Sequence, residues 1–312
     1  MRIFIYGNDG RLAVCRQLLL SAYERGELVR GVRDIHLLPI PSYRFSLSDF
    51  VGTLKKAEGD LQENARTDES EAQVQDARRR QRAIKPEARG ASRCEKCLIK
   101  GDDEKSGAYE YDLIVGYGVQ ADFYDFPRAR VLDLEKNEPF LRRNARLTAL
   151  GTVGVLLCEH TRALPELCVG IIGCGRIGRE LVDILSFLAC RLVVFSASTK
   201  TKEELLVRGI QTVSVAWQGD EGQNINDCLQ KCGFPWMPDI LLNTSPSKFA
   251  NHFFDGYEGK IYDLASGEPI PPTVEHTRLA SLPKRMYCDS AGRAVYESVL
   301  LALYEIDREQ IR

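Results

Sequence analysis

The stretch from Cys168 to Lys200, CVGIIGCGRIGRELVDILSFLACRLVVFSASTK, sets an apolar run, three glycines, a helical repeat and a second apolar run in direct succession. That succession is the pattern of one β-α-β unit. Val169 to Ile172 read as a buried strand, Ile177, Leu181, Ile184, Leu185 and Leu188 recur at helical spacing, and Leu192 to Phe195 resume as strand. Gly173, Gly175 and Gly178 fall at GxGxxG spacing between them. The first glycine permits a tight turn, the second lets backbone approach a pyrophosphate, and the third lets the helix pack closely. Free N–H groups of the first helical turn then face the phosphates, backed by roughly half a positive charge of helix dipole. Gly173, Gly175, Arg176, Ile177 and Gly178 are therefore expected to bind a dinucleotide.

A length of 312 residues, against roughly 150 per domain, points to two domains, and a hydrophobic share of 44% supplies a core for each. A net charge of -2 gives no reason to expect nucleic acid or an anionic membrane as partner. The apolar run in MRIFIYGNDG is too short for a signal-peptide core, and no stretch approaches about 20 apolar residues. A cytoplasmic protein is the expectation. Most of the ten cysteines, among them Cys15, Cys158, Cys168, Cys174 and Cys190, sit in apolar helix or strand patterns and are expected to be reduced. Cys94 and Cys97 form one CxxC without a second ligand pair nearby, and Cys228 and Cys232 lie one helical turn apart, so no metal site is expected.

Before the central unit, the pattern predicts strands at Arg2 to Tyr6, Asp34 to Leu38, Tyr111 to Gly116 and Arg130 to Leu134, with helices over Leu12 to Tyr23 and Leu47 to Leu54. The GNDG turn after the first strand lacks GxGxxG spacing and reads as an ordinary strand-to-helix turn. From about 55 to 107 mixed charges crowd together and apolar residues are too sparse to form a face, so this reads as a solvated insertion. Asn144 to His160 is a mostly apolar helix linking two domains, with Gly151 and Gly154 permitting close packing. After the central unit come strands at Ile210 to Val215, Asp239 to Leu242, Lys260 to Leu264 and Arg278 to Leu282, and a final helix over Ser290 to Ile306. The alternation predicts an α/β protein of two Rossmann-like, doubly wound parallel-sheet domains with a cleft between them. The boundaries expected are 1–143, 144–288 for the dinucleotide domain, and 289–312 for a helix returning to the first domain.

Ligands of such sheets sit at the carboxyl ends of the strands. That places Asn243, Thr244 and Ser245, and Asp263 to Ala265, beside the nicotinamide and its ribose. An NAD site carries an acidic residue about 20 positions after the first glycine, where it binds the ribose 2′-OH. Here that place is Phe195, Ser196, Ala197, Ser198, Thr199, Lys200. No carboxylate repels a 2′-phosphate there, and Ser196, Ser198, Thr199 and Lys200 are available to bind one, so NADP is expected, with NAD possible.

Taken in order, GNDGRLAVCRQLL, NARLTALG, GCGRIG, DILLNTSP, YDLAS and LPKRMYCDSAG resemble the dipicolinate synthase family, relatives of the D-2-hydroxyacid dehydrogenases. The resemblance covers most of the chain except Lys55 to Gly107. It implies oxidation of a small cyclic dicarboxylate, 4-hydroxy-tetrahydrodipicolinate, to pyridine-2,6-dicarboxylate during sporulation. It also implies a flavoprotein-like second subunit as partner and a homo- or hetero-oligomeric assembly. The protein must then hold two carboxylates, align one C–H with the nicotinamide and manage protons. Arg146, Lys284 and Arg285 are the candidate carboxylate-binding cations, and His160 the candidate proton-handling group. Where the family has TAEG, this chain has Thr148, Ala149, Leu150, Gly151, and the family's glycine after LP is Lys284. These departures keep two alternatives open: a catalytically silent dinucleotide-binding regulatory or scaffolding protein, and a dehydrogenase for another small hydroxy or keto acid.

Overall fold

The computed structural model describes residues 1–28, 32–42, 45–53, 111–126, 128–215 and 224–310. The expected charged insertion at 55–107, with Cys94 and Cys97, lies outside the described residues. The chain divides into two compact units, Met1–Lys136 with Val299–Arg312, and Asn137–Ser298. No helix among the described residues is long and apolar enough to cross a membrane.

The first unit holds a parallel sheet of β1 (Arg2–Ile5), β2 (Val32–Leu37), β3 (Tyr111–Gly116) and β4 (Ala129–Asp133), in that order. Helix α1 (Gly10–Glu24) starts where Asp9 accepts a hydrogen bond from the Arg11 N–H and pairs with the buried Arg11 guanidinium at 2.7 Å. GNDG is thus a capped strand-to-helix turn, as its spacing implies. Tyr6, Leu38, Phe50, Ile114, Val119 and Phe123 form one core of this unit.

The second unit holds α2 (Glu138–Glu159), β5 (Cys168–Ile172), α3 (Arg176–Phe187), β6 (Arg191–Ser196), α4 (Thr199–Val207), β7 (Gln211–Ser214) and α5 (Ile225–Lys231). Then follow β8 (Ile240–Asn243), β9 (Lys260–Asp263), β10 (Thr277–Arg278), α6 (Leu282–Met286) and the start of α7 (Cys288–Gln310). Its six strands among the described residues are all parallel, in the order β10-β9-β8-β5-β6-β7. Strand side chains alternate between faces. Val169 and Ile171 join a core with Val153 and Leu156 of α2 and Leu181 and Leu185 of α3, whereas Ile172, Val193 and Phe195 join one with Ile225 and Leu229 of α5. Helices on both faces and a reversal of strand order between β5 and β8 make this sheet doubly wound. The first sheet keeps chain order among its described strands.

Two boundaries differ from expectation. Helix α2 begins at Glu138 rather than Asn144, because the Asn137 side chain accepts from the Phe140 N–H and a proline occupies the first turn. The strand expected over Arg278 to Leu282 shrinks to Thr277–Arg278, and Leu282–Met286 forms a helix entered through Ser281 at φ 55°. Lys284 and Arg285 therefore stand on α6 and not in a loop. The packing role expected of Gly151 and Gly154 holds: methyl groups there would lie 3.1 Å from Leu282 Cβ and 3.1 Å from Met286 Cε, so α6 rests on the glycine face of α2.

Candidate functional site

The reversal of order between β5 and β8 opens a crevice at their carboxyl ends, the place where open α/β sheets bind ligands. Its two walls are the Gly173 loop and the turn at Asn243, Thr244 and Ser245. Gly173 has φ +83°, and a methyl group on it would meet Ser245 Cβ at 3.0 Å and Thr244 Oγ1 at 3.1 Å. Thr244 Oγ1 lies 3.1 Å from the carbonyl oxygens of both Ile172 and Gly173, to which it donates. At Gly178 a methyl group would stand 2.5 Å from the Gly173 carbonyl oxygen, so the third glycine is required by the fold itself. Gly175 is different. It precedes the first residue of α3, makes no side-chain cap, and a methyl group on it would find nothing within 4 Å. The protein leaves open the position that a pyrophosphate approaching the α3 N–H groups would fill, so the residues present fit a dinucleotide.

Neighbouring strand ends shape this crevice. Asn243 is fully buried; its Nδ2 donates to Asp263 Oδ1 at 2.7 Å and to the Ser245 carbonyl at 3.2 Å, while its Oδ1 accepts from the Ser245 N–H at 3.0 Å. Asp263 Oδ1 also accepts from the Ala265 N–H at 3.1 Å, and Arg278 Nη1 lies 3.5 Å from Asp263 Oδ2. Asn243 and Asp263 are thus occupied in holding two turns in place. Of the residues in those turns, Thr244 is half-buried, and Ser245 and Ala265 are buried.

At the end of β6, Ser196 is buried and its Oγ accepts from the Ser198 N–H at 3.2 Å, while Ser198 caps α4 by accepting from the Thr201 N–H at 3.3 Å. Thr199 and Lys200 open α4 and are exposed. Ile177 packs against the core, and Arg176 turns its guanidinium to Glu138 of α2 at 2.7 Å. Hydrogen bonds from Arg176 and Arg142 hold the Glu138 carboxyl down to about 2. Arg176 offers the crevice its place in the first turn of α3 while its side chain leans toward α2.

The structure does not bring His160 to this crevice. Helix α2 ends at Glu159, and His160 shares a groove of about 840 Å³ with Arg162, Asp239 and Lys260. Asp239 directly precedes β8 and Lys260 begins β9, so this is the amino edge of the sheet, opposite the glycine loop. Tyr262 Oη donates to Glu159 Oε2 at 2.8 Å and lies 3.0 Å from His160 Nε2, which must therefore supply the hydrogen between them. Desolvation, ahead of the nearby Lys260 charge, pushes the His160 pKa down. The expectation that His160 handles protons beside a nicotinamide is corrected on this geometry. Arg146 lies 3.9 Å from Glu180, joining α2 to α3, and Lys284 and Arg285 are exposed on α6.

Sequence patterning passed over His276, Arg278 and Lys248, which line a second pocket of about 510 Å³ beside Asp263. The available signal was the alternation in EHTR, which sets His276 and Arg278 on one side of an extended segment. In the first unit, Asp34, His36 and Asp112 lie within 4.8 Å of one another, a composition that suits a metal. Asp34 is held by Arg2 at 2.5 and 2.9 Å, Asp112 by Arg33 at 2.7 and 3.0 Å, and His36 Nδ1 faces the Tyr6 hydroxyl at 3.0 Å, so the cluster reads as an ion-paired layer.

No family model and no curated protein matches the sequence. Among solved structures, the A chain of dipicolinate synthase from Bacillus subtilis aligns with a TM-score of 0.61 at 16% identity, over 99% of this chain and 97% of that one. The corresponding dipicolinate synthase chain from Bacillus halodurans gives 0.48 at 14% identity, over 63% of this chain and 67% of that one. At these identities the likeness is one of fold, an α/β chain with two parallel-sheet units.

Proposed function

We propose that this chain is an NADP-dependent oxidoreductase acting on a small cyclic dicarboxylate of the 4-hydroxy-tetrahydrodipicolinate kind, in partnership with a flavoprotein-like second subunit. The observation that carries the reading is the Gly175 position, open where the fold closes over Gly173 and Gly178, at the switch point of a doubly wound sheet. A dinucleotide held by these residues would supply a hydride acceptor for a ring carbon of the substrate, and loss of water and a proton would complete aromatisation. The α3 N–H groups hold the pyrophosphate, Thr244 and Ser245 border the ribose on the nicotinamide side, and Thr199 and Lys200 receive the 2′-phosphate. The absence of a carboxylate between Phe195 and Lys200 supports NADP over NAD.

A second reading, a catalytically silent dinucleotide-binding protein, draws support from His160 standing at the opposite edge and from Leu150, which is 37% exposed where the resembled family carries a carboxylate. Incubation with NADP⁺ and enzymatically generated 4-hydroxy-tetrahydrodipicolinate, with and without a flavoprotein-like partner, separates them. Pyridine-2,6-dicarboxylate detected by mass spectrometry supports the enzyme. Tight dinucleotide binding without turnover in either mixture supports the silent protein.

A further inference from the structure

Arg176 is the first residue of α3 and directly follows the open Gly175 position, yet its guanidinium is engaged by a carboxylate of the same unit. Its Nη2 donates to Glu138 Oε2 at 2.7 Å, and its Nε reaches Oε2 at 3.1 Å and Oε1 at 3.3 Å. Glu138 has a second cation: Arg142, one turn along α2, donates to its Oε1 at 3.0 Å. Glu138 also opens the first turn of α2, where the helix dipole favours a negative charge. It therefore keeps a guanidinium and a helix N-terminus when Arg176 leaves it. Because the two arginines hold its carboxyl at about 2, Glu138 is ionised at neutral pH.

Both members of the Arg176–Glu138 pair are exposed, with side chains 53% and 46% accessible. Such a pair is weak, and rotation about side-chain bonds is enough to part it. A pyrophosphate at the α3 N–H groups would bring negative charge to the turn that carries Arg176, and a guanidinium fork matches phosphate as well as carboxylate. The two anions thus contend for one edge of one arginine. We infer that Glu138 is an internal competitor for Arg176, which the pyrophosphate of a dinucleotide displaces onto Arg142 as it binds. Glu138 thereby sets the cofactor affinity of the crevice from outside it. The inference rests on the dinucleotide reading of that crevice.

NADPH fluorescence titration of the full chain at two ionic strengths tests it, in a double-mutant cycle of Glu138→Gln and Arg176→Met. Gln keeps the shape of an exposed side chain, so the variant reads binding and not folding. Glu138→Gln should tighten NADPH binding by about two- to fivefold, the range that an exposed ion pair supports. Its affinity should also fall more steeply with salt than that of the wild type, because Arg176 enters the complex without giving up a carboxylate. In the Arg176→Met background the same substitution should lose most of that gain. Unchanged or weaker binding by Glu138→Gln, or an equal gain with and without Arg176, overturns the inference and leaves the dinucleotide reading standing. A wild-type chain and a Glu138→Gln chain that both fail to bind NADPH and NADH sink the two together.

Discussion

Gly178 and the carbonyl oxygen of Gly173 are packed so closely that a methyl group on Gly178 would stand 2.5 Å from that oxygen, while one on Gly175 would touch nothing. The two glycines of one motif therefore answer to different constraints. Gly178→Ala should cost about 1–3 kcal/mol of stability through backbone displacement. Gly175→Ala, at φ -75° and ψ -155°, should leave stability unchanged or raise it by up to about 1 kcal/mol. Both should lose dinucleotide affinity, Gly175→Ala by about tenfold or more, or about 1.4 kcal/mol, since its methyl group meets the phosphate and not the protein. Thermal melts paired with NADPH fluorescence titration check the contrast. Full affinity in a stable Gly175→Ala protein would remove the phosphate from this loop.

How much of this was legible in the sequence follows from how local each feature is. The glycine loop is written in consecutive residues, so its strand, turn and helix were readable. The turn at Asn243, Thr244 and Ser245 was readable as a strand end, but its contact with the Gly173 loop was not, because the two meet only through pairing of β5 with β8, whose start is marked by the Cys168 N–H bonding Asp239, 71 positions on. His160 looked promising on a linking helix, but periodicity says nothing about which edge of a sheet a helix ends on. His276 and Arg278 escaped notice because β10 is two residues long, too short for alternation to register as a strand. The early start of α2 hid in EPFLRR, where a cap and a proline replace the apolar repeat.

The buried pair Asn243 and Asp263 makes a stability prediction. Asn243→Ala removes a 2.7 Å donor from a carboxylate only 1% exposed, and strips two bonds from the Ser245 turn. Leaving a buried acceptor short of a partner costs about 1–3 kcal/mol. Urea unfolding of the variant should show that loss, and NADPH binding should weaken with it as the crevice wall loosens. A variant of wild-type stability would mean that the turn is held by its backbone alone.

His36 sets a pH dependence in the first unit. It is 1% exposed, stacked on Phe4 at 5.0 Å and edge-on to Phe50 at 5.2 Å, and desolvation pushes its pKa from 6.5 down to about 4. Asp112 and Asp34 oppose that shift while Arg2 and Arg33 reinforce it. Below pH 6.5 the unfolded chain takes up a proton that the fold refuses, so stability present at pH 7 is lost as pH falls toward 4. The loss is about 1.4 kcal/mol per unit, or about 2 kcal/mol between pH 6.5 and pH 5. His36→Phe keeps the aromatic packing and removes the titration. Its urea unfolding free energy should therefore fall less than that of the wild type between pH 7 and pH 5, by about that amount. Equal pH slopes would show that His36 protonates in the fold as readily as in water.

Cofactor choice turns on Ala197, the exposed residue directly after β6, since Ser196 before it is buried and Ser198 after it is committed to capping α4. A carboxylate at this position would accept from a ribose 2′-OH and repel a 2′-phosphate, both effects acting through charge at hydrogen-bonding distance. Ala197→Asp should lower NADPH affinity by about tenfold or more while leaving NADH affinity equal or improved. Lys200→Met should weaken NADPH alone and flatten its salt dependence, because it removes a cation without touching the cap. Fluorescence titrations with both reduced cofactors at two ionic strengths check both variants. A wild-type chain that prefers NADH, or an Ala197→Asp chain that loses both cofactors alike, would place the adenosine ribose elsewhere than at the end of β6.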